Sequence, residues 1–192
     1  MYMSNYYLTI DDYDKYLALL GERLEKHGVA YDIVVSGGFA INRFYDGNRD
    51  STHDCDFQFI NPIDNEEDSP LLVLAAKIAQ EHDLDRDWFN VCDYIVEGLT
   101  ENLIHCSSYG ALRIFIPNAN ALIASKTISF RDREGDSSAD VQDLRSLFNY
   151  IGNVMSFEEL LQNARSILPE AFRHLTERDI EELRCKFEIY FG

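Results

Sequence analysis

Cations are scarce in this chain of 192 residues: 17 lysines and arginines stand against 34 aspartates and glutamates, a formal charge of −17. So acidic a surface repels phosphate backbones and anionic lipid, which argues against extended DNA or RNA binding and against a membrane-surface role. It leaves open a small anion held in a locally basic or metal-filled pocket. Cysteine is sparse too, and the four present (Cys55, Cys92, Cys106, Cys185) form no C-x-x-C pair. That spacing offers no structural zinc site and suits a reducing compartment. No apolar run approaches the ~18 residues of a membrane-spanning helix. The opening MYMSNYYLTIDDYDKY has neither the basic nor the apolar stretch of a signal peptide. Internal repeats and low-complexity linkers are missing as well. Core-forming material is not: apolar residues make up 46% and aromatics 12%, which excludes a disordered or fibrous chain. The expectation is a cytoplasmic protein without membrane partners.

The order of elements follows from periodicity and punctuation. Thr9 and Asp12 read as a capping box before apolar positions Tyr13, Tyr16, Leu17, Leu20 and Leu24, a helix ending at Gly28. A strand is expected over 31–35, a short helix over 39–44 and a second strand over 54–60. Pro70 sits at a helix N1 position and opens 71–82. Strands are expected over 91–96, 103–107 and 112–116. Asn118 caps a helix over 119–131, and further helices follow from 138 to 150, from the capping box Ser156/Glu159 to 168, and from Thr176 to 191. This is an α+β fold: a head of small mixed sheet and flanking helices over 1–117, with a helical C-terminal region, 118–192, packed on it as one unit.

Two short segments can carry chemistry. Ser36-Gly37-Gly38 lies between a strand and a helix, where glycines let backbone N–H groups approach an anion in front of a helix N-terminus. Asp54-Cys55-Asp56 lies on the next strand, where period-2 alternation puts both carboxylates on one face. Two like charges so placed ask for a cation, and Mg²⁺ (or Mn²⁺) is commonly held by carboxylates together with substrate phosphates. A phosphate cradle beside a cation clamp points to a nucleoside triphosphate. The plainer alternatives are a turn at the glycines and a solvated strand face at the aspartates. Leu122, Lys126 and Phe130 share a helix face, so the Lys126 ammonium is expected near the Asp54/Asp56 cleft or paired with Asp140 or Asp143. His53 points away from the acidic face by alternation and is read as structural.

In these motifs and their order the chain resembles the nucleotidyltransferase superfamily. It is most similar to the small bacterial nucleotidyltransferase-like proteins that serve as toxins in toxin–antitoxin and abortive-infection systems. Gly37-Gly38-Phe39-Ala40 matches the first motif of that family, and Thr52 to Asp56 the second. Lys126 with Arg131 matches the third, and Asp140-Val-Gln-Asp143 the fourth. The resemblance implies Asp54 and Asp56 as metal ligands, with Ser36, Gly37, Gly38, Arg49 and Thr52 around the nucleotide. Lys126 would steady the triphosphate, and Asp140 or Asp143 would act either as a base or as the group that orients Lys126. It also implies transfer of a nucleoside monophosphate to an RNA end or a protein hydroxyl, and an antitoxin partner. The sequence departs from the pattern in three ways. Arg49 stands one residue early, with Asp50 in its place. The 131–140 connection is long. The third carboxylate that the superfamily usually carries on a later strand is missing from 112–116, leaving Asp93 and Glu97 as candidates. A chain with two acids can also be read as a nucleotide- or partner-binding module without turnover.

Overall fold

The computed structural model describes residues 8–45, 47, 51–52, 54–92, 103–133 and 138–192. Helix α1 (Ile10–Lys26) begins at the expected capping box: the Thr9 hydroxyl accepts from the Asp12 N–H and the Asp12 carboxylate accepts from the Thr9 N–H. Strand β1 (Tyr31–Val35) runs into α2 (Gly37–Phe44), and β2 (Cys55–Phe59) follows. Helix α3 (Pro70–His82) has Ser69 as its N-cap and proline in its first turn. Then come β3 (Phe89–Val91), β4 (Ile104–Tyr109) and β5 (Leu112–Ile116). Helix α4 (Ala119–Asp132) is capped by the Asn118 side chain. It is followed by α5 (Ser138–Ile151), α6 (Phe157–Ile167), α7 (Pro169–Phe172) and α8 (Glu177–Phe191).

The strands form one mixed sheet in the order β3-β2-β1-β5-β4. β1 is antiparallel to β2 and parallel to β5, β2 is parallel to β3, and β4 and β5 form an antiparallel hairpin. The chain is therefore α+β, as composition and periodicity imply. Two elements differ from the sequence expectation. The strand after α3 sits at Phe89–Val91 instead of starting at 91, and the remainder of the expected 91–96 strand, from 93 on, lies outside the described residues. Helix α7 is a single turn, too short to leave a periodic apolar signature. Among the described residues no helix is long and apolar enough to cross a membrane.

Alternation along β2 decides which face of the sheet is core. Cys55, Phe57 and Phe59 are buried while Asp54, Asp56 and Gln58 are half-buried. The buried face continues through a run of rings: Phe57 stacks on Phe89 at 4.2 Å, Phe89 meets Trp88 at 5.4 Å, and Trp88 meets Tyr13 of α1 at 6.1 Å. Trp88 satisfies its indole by donating to the Ala75 carbonyl of α3 at 3.2 Å. α1 lies so close to the β4–β5 turn that a Cβ on Gly21 would stand 1.7 Å from the Tyr109 carbonyl oxygen. The C-terminal helices join the same apolar cluster, which includes Ile33 and Val34 of the sheet and Leu144, Leu147 and Phe187 of α5 and α8. The Tyr45 hydroxyl also ties the end of α2 to the Pro117 carbonyl, just before α4, at 2.7 Å.

One core group is unsatisfied. Tyr13 is fully buried and its hydroxyl meets no hydrogen-bond partner among the described residues. A buried, unpaired hydroxyl costs ~1–3 kcal/mol of stability. Tyr13→Phe is therefore expected to raise unfolding free energy by about 1 kcal/mol in urea titrations; a loss of stability would mean that the hydroxyl has a partner.

Candidate functional site

The geometry at the two motifs starts from the backbone. The pairing of β1 with β2 puts Val35 opposite Phe57, and one residue further the Ser36 N–H donates to the Asp56 carbonyl at 3.1 Å. Gly37 then takes φ +68°, a left-handed conformation that costs an L side chain about 1 kcal/mol or more. This turn presses the chain against the acidic strand: a Cβ on Gly37 would lie 3.4 Å from Asp56 Oδ2. Gly37 and Gly38 open α2, and the Ser36 side chain makes no capping bond to them. The first N–H groups of any helix lack partners within it, so this end of α2 faces Asp56 with donors uncovered by its own N-cap.

Asp54, just before β2, and Asp56 within it are both half-buried, on the side of the strand opposite Cys55 and Phe57. Burial, then the Asp54 charge, pushes the Asp56 carboxyl up to about 6, with Lys126 pulling it the other way. Thr52 stands behind the pair. It is buried, bridges by its backbone to Leu8, and its hydroxyl donates to the Asp54 carbonyl at 3.4 Å. Thr52 thus braces the entry to the acidic strand. Arg49 and His53, like Asp50, Asp93 and Glu97, lie outside the described residues.

Lys126 lies on the face of α4 shared with Leu122 and Phe130, both buried. Its ammonium is 2.7 Å from Asp143 Oδ2 and 3.5 Å from Asp140 Oδ1. Both aspartates belong to the first turns of α5 and are sealed from solvent, at 1% and 0% side-chain exposure. Arg133 reaches the other Asp140 oxygen at 3.0 Å. Lys126 on α4 and Arg133, the residue that ends it, thus both bring cations to α5. The motif reading coupled Lys126 with Arg131 instead. Arg131 points elsewhere: it pairs with Asp132, donates to the Ala171 carbonyl at 3.1 Å and lies over the Phe172 ring.

An ammonium has three donors. Two of those on Lys126 are directed to Asp143 and Asp140, and the field of the charge reaches Asp56. The cleft thus combines two carboxylates, a glycine turn in front of a helix, and one shared lysine. The donor set fits a hard divalent cation with open positions, because Asp54 and Asp56 supply oxygen ligands and the nearby lysine is already engaged. Among the described residues no group of three His, Cys, Asp or Glu side chains is close enough to hold a metal by itself. On β3, the residue in register with Asp56 is Asn90. A cavity of about 470 Å³ opens elsewhere, lined by Arg131, Asp179, Glu182 and Lys186 among others. Its charges are spent internally: Asp179 caps α8, Glu182 pairs with Arg178, and Lys186 donates to the Phe130 and Arg133 carbonyls.

No protein-family model, no curated protein and no solved structure matches the chain.

Two expectations follow from this geometry. The folded Asp56 carboxyl titrates at about 6 against an ordinary 3.8, so the folded protein keeps this proton where the unfolded chain has lost it. The stabilisation is complete below about pH 4 and lost as pH rises through about 6. Asp56→Asn, neutral at every pH, should raise the metal-free Tm at about pH 7.5 and leave it unchanged below about pH 4; no difference at either pH would mean an Asp56 in ordinary solvent. Separately, Lys126→Met removes the ammonium that two buried carboxylates share, and breaking a buried ion pair costs ~3–5 kcal/mol. Adding Asp143→Asn should restore part of that loss in chemical denaturation, and strict additivity would argue against the ion pair.

Proposed function

We propose that this protein is a metal-dependent nucleotidyltransferase that moves a nucleoside monophosphate from a nucleoside triphosphate to an acceptor hydroxyl. The observation that carries the reading is the convergence on Asp56: Asp54 on its own strand, the Gly37 turn against its carboxylate, and the charge of Lys126. Asp54 and Asp56 would hold Mg²⁺ or Mn²⁺, which when bound supplies charge neutralisation for the triphosphate. The N–H groups at Gly37 and Gly38 would donate to the phosphate oxygens. Lys126 offers its remaining donor to the triphosphate. The acceptor oxygen forms a bond to the α-phosphorus as the bond to the β-phosphate breaks, pyrophosphate leaves, and the hydroxyl proton passes to a base.

Asp140 and Asp143 suit a positioning role better than that of the base. Both are inaccessible to an acceptor and committed to Lys126 and Arg133. Of the alternatives carried from the sequence, orientation of Lys126 is the one favoured by this burial. The acceptor is an RNA end or a protein hydroxyl, since a charge of −17 opposes a long nucleic-acid footprint. The likeness to toxins of toxin–antitoxin pairs adds an antitoxin protein as the proposed partner. A second reading, a fold that binds nucleotide without turnover, is favoured by one observation: no third carboxylate accompanies Asp54 and Asp56 among the described residues.

A labelled-triphosphate transfer assay with candidate RNA and protein acceptors, run beside Asp54→Ala, separates the two readings. Nucleotide binding without transfer would favour the second. For either, millimolar Mg²⁺ or Mn²⁺ with a triphosphate should raise stability, by ~2.7 kcal/mol at a ligand concentration 100-fold above Kd. Asp56→Asn should abolish that increment. A Tm that none of the four triphosphates moves in the presence of metal would overturn the site. In the Lys126→Met/Asp143→Asn background, triphosphate binding should weaken more than nucleoside binding, and equal losses would remove Lys126 from the phosphates.

A further inference from the structure

The strand pairing brings a further residue to this site. β2 and β3 are parallel and in register, with Cys55 opposite Phe89, Asp56 opposite Asn90 and Phe57 opposite Val91. Register partners on neighbouring strands stand ~4.8 Å apart and point to the same side of the sheet. The direction is set independently by the rings. Phe89 stacks on Phe57 at 4.2 Å on the buried side, so Asn90, the next residue, must project to the opposite face, where Asp54 and Asp56 lie. Asn90 is exposed, between a buried Phe89 and a half-buried Val91. Its side chain makes no hydrogen bond to any described residue, so its amide oxygen is uncommitted.

An amide oxygen is a hard ligand of the kind that Mg²⁺ and Mn²⁺ accept, but it brings no charge. We infer that Asn90 is the third oxygen donor of the Asp54/Asp56 cation site. Its neutrality makes the site take a divalent cation jointly with the phosphates of a triphosphate and not by itself. The inference rests on the reading of Asp54 and Asp56 as the cation pair. With two formal charges from the protein, the remaining coordination positions and the remaining neutralisation fall to the triphosphate oxygens. A carboxylate at position 90 would shift that balance toward binding of the bare cation.

The test is a Mn²⁺ titration followed by the loss of the free-ion electron paramagnetic resonance signal. It is made on the full chain with and without non-hydrolysable analogues of the four ribonucleoside triphosphates. Wild type should bind Mn²⁺ weakly alone and more tightly with an analogue. Asn90→Asp should tighten binding of Mn²⁺ alone by about tenfold or more, because affinity follows ligand charge. Asn90→Ala should weaken the Mn²⁺–analogue complex severalfold. Asn90 is exposed on an edge strand, and unchanged circular dichroism will verify that both variants fold. If both variants match wild type while Asp56→Asn abolishes binding, Asn90 is not a ligand and the inference fails alone. If wild type and Asp56→Asn respond identically in every titration, the cation pair itself is wrong and the inference falls with it.

Discussion

A single backbone hydrogen bond, from the Ser36 N–H to the Asp56 carbonyl at 3.1 Å, is the constraint around which this structure is organised. It extends the antiparallel β1–β2 ladder by one step beyond Val35 and Phe57. In doing so it docks the glycine turn and the start of α2 onto the acidic strand. Shifting that register by one residue would turn Asp54 and Asp56 into the core and expose Cys55, Phe57 and Phe59. The aromatic packing behind β2 makes such a slip prohibitive: the stacked Phe57 and Phe89, then Trp88 and Tyr13, can fill the core in one register only. The apolar face of the strand therefore determines where its polar face presents its carboxylates.

A second constraint is ionic and lies within the helical region. Lys126, Arg133, Asp140 and Asp143 form a cluster between α4 and α5 in which both carboxylates are sealed from water. Buried ion pairs contribute little net stability over apolar packing, yet removal of one partner is costly. Their value lies in position: each member restricts the others, and the Lys126 ammonium is held where its charge reaches Asp56. A flexible lysine on an exposed helix would spend side-chain entropy to reach the same place. In a chain with twice as many acids as bases, holding one cation on two buried carboxylates keeps it from pairing with the numerous surface acids.

The electrostatics of the cleft are thereby asymmetric. Asp54 and Asp56 repel each other, burial raises the cost of charging Asp56, and Lys126, the cation that acts on Asp56 among the described residues, is shared with Asp140 and Asp143. Repulsion between two carboxylates of this kind is relieved by any added positive charge. The glycine turn adds donors without adding a side chain, which is why the approach to Asp56 stays open despite the close packing.

Much of this was legible in the sequence because it depends on local rules. Capping boxes at Thr9, Ser156 and Thr176, proline at position 70 and the Asn118 cap act within a few residues, and each marks a helix start in the structure. Alternation in β2 likewise places Asp54 and Asp56 together from the sequence alone, since period 2 is a property of any strand. Partner choice was not legible. Lys126 with Arg131 and Lys126 with Arg133 are equally plausible pairs along a chain, and only the docking of α5 selects Arg133 and buries Asp140 and Asp143. The match of Asn90 with Asp56 carried no signal, because strand neighbours separated by 34 positions are matched by hydrogen-bond register, a property of the assembled sheet. Sequence determined the elements and the face of each residue; tertiary structure decided which faces meet, since long-range pairing is selected by the packing of the whole core.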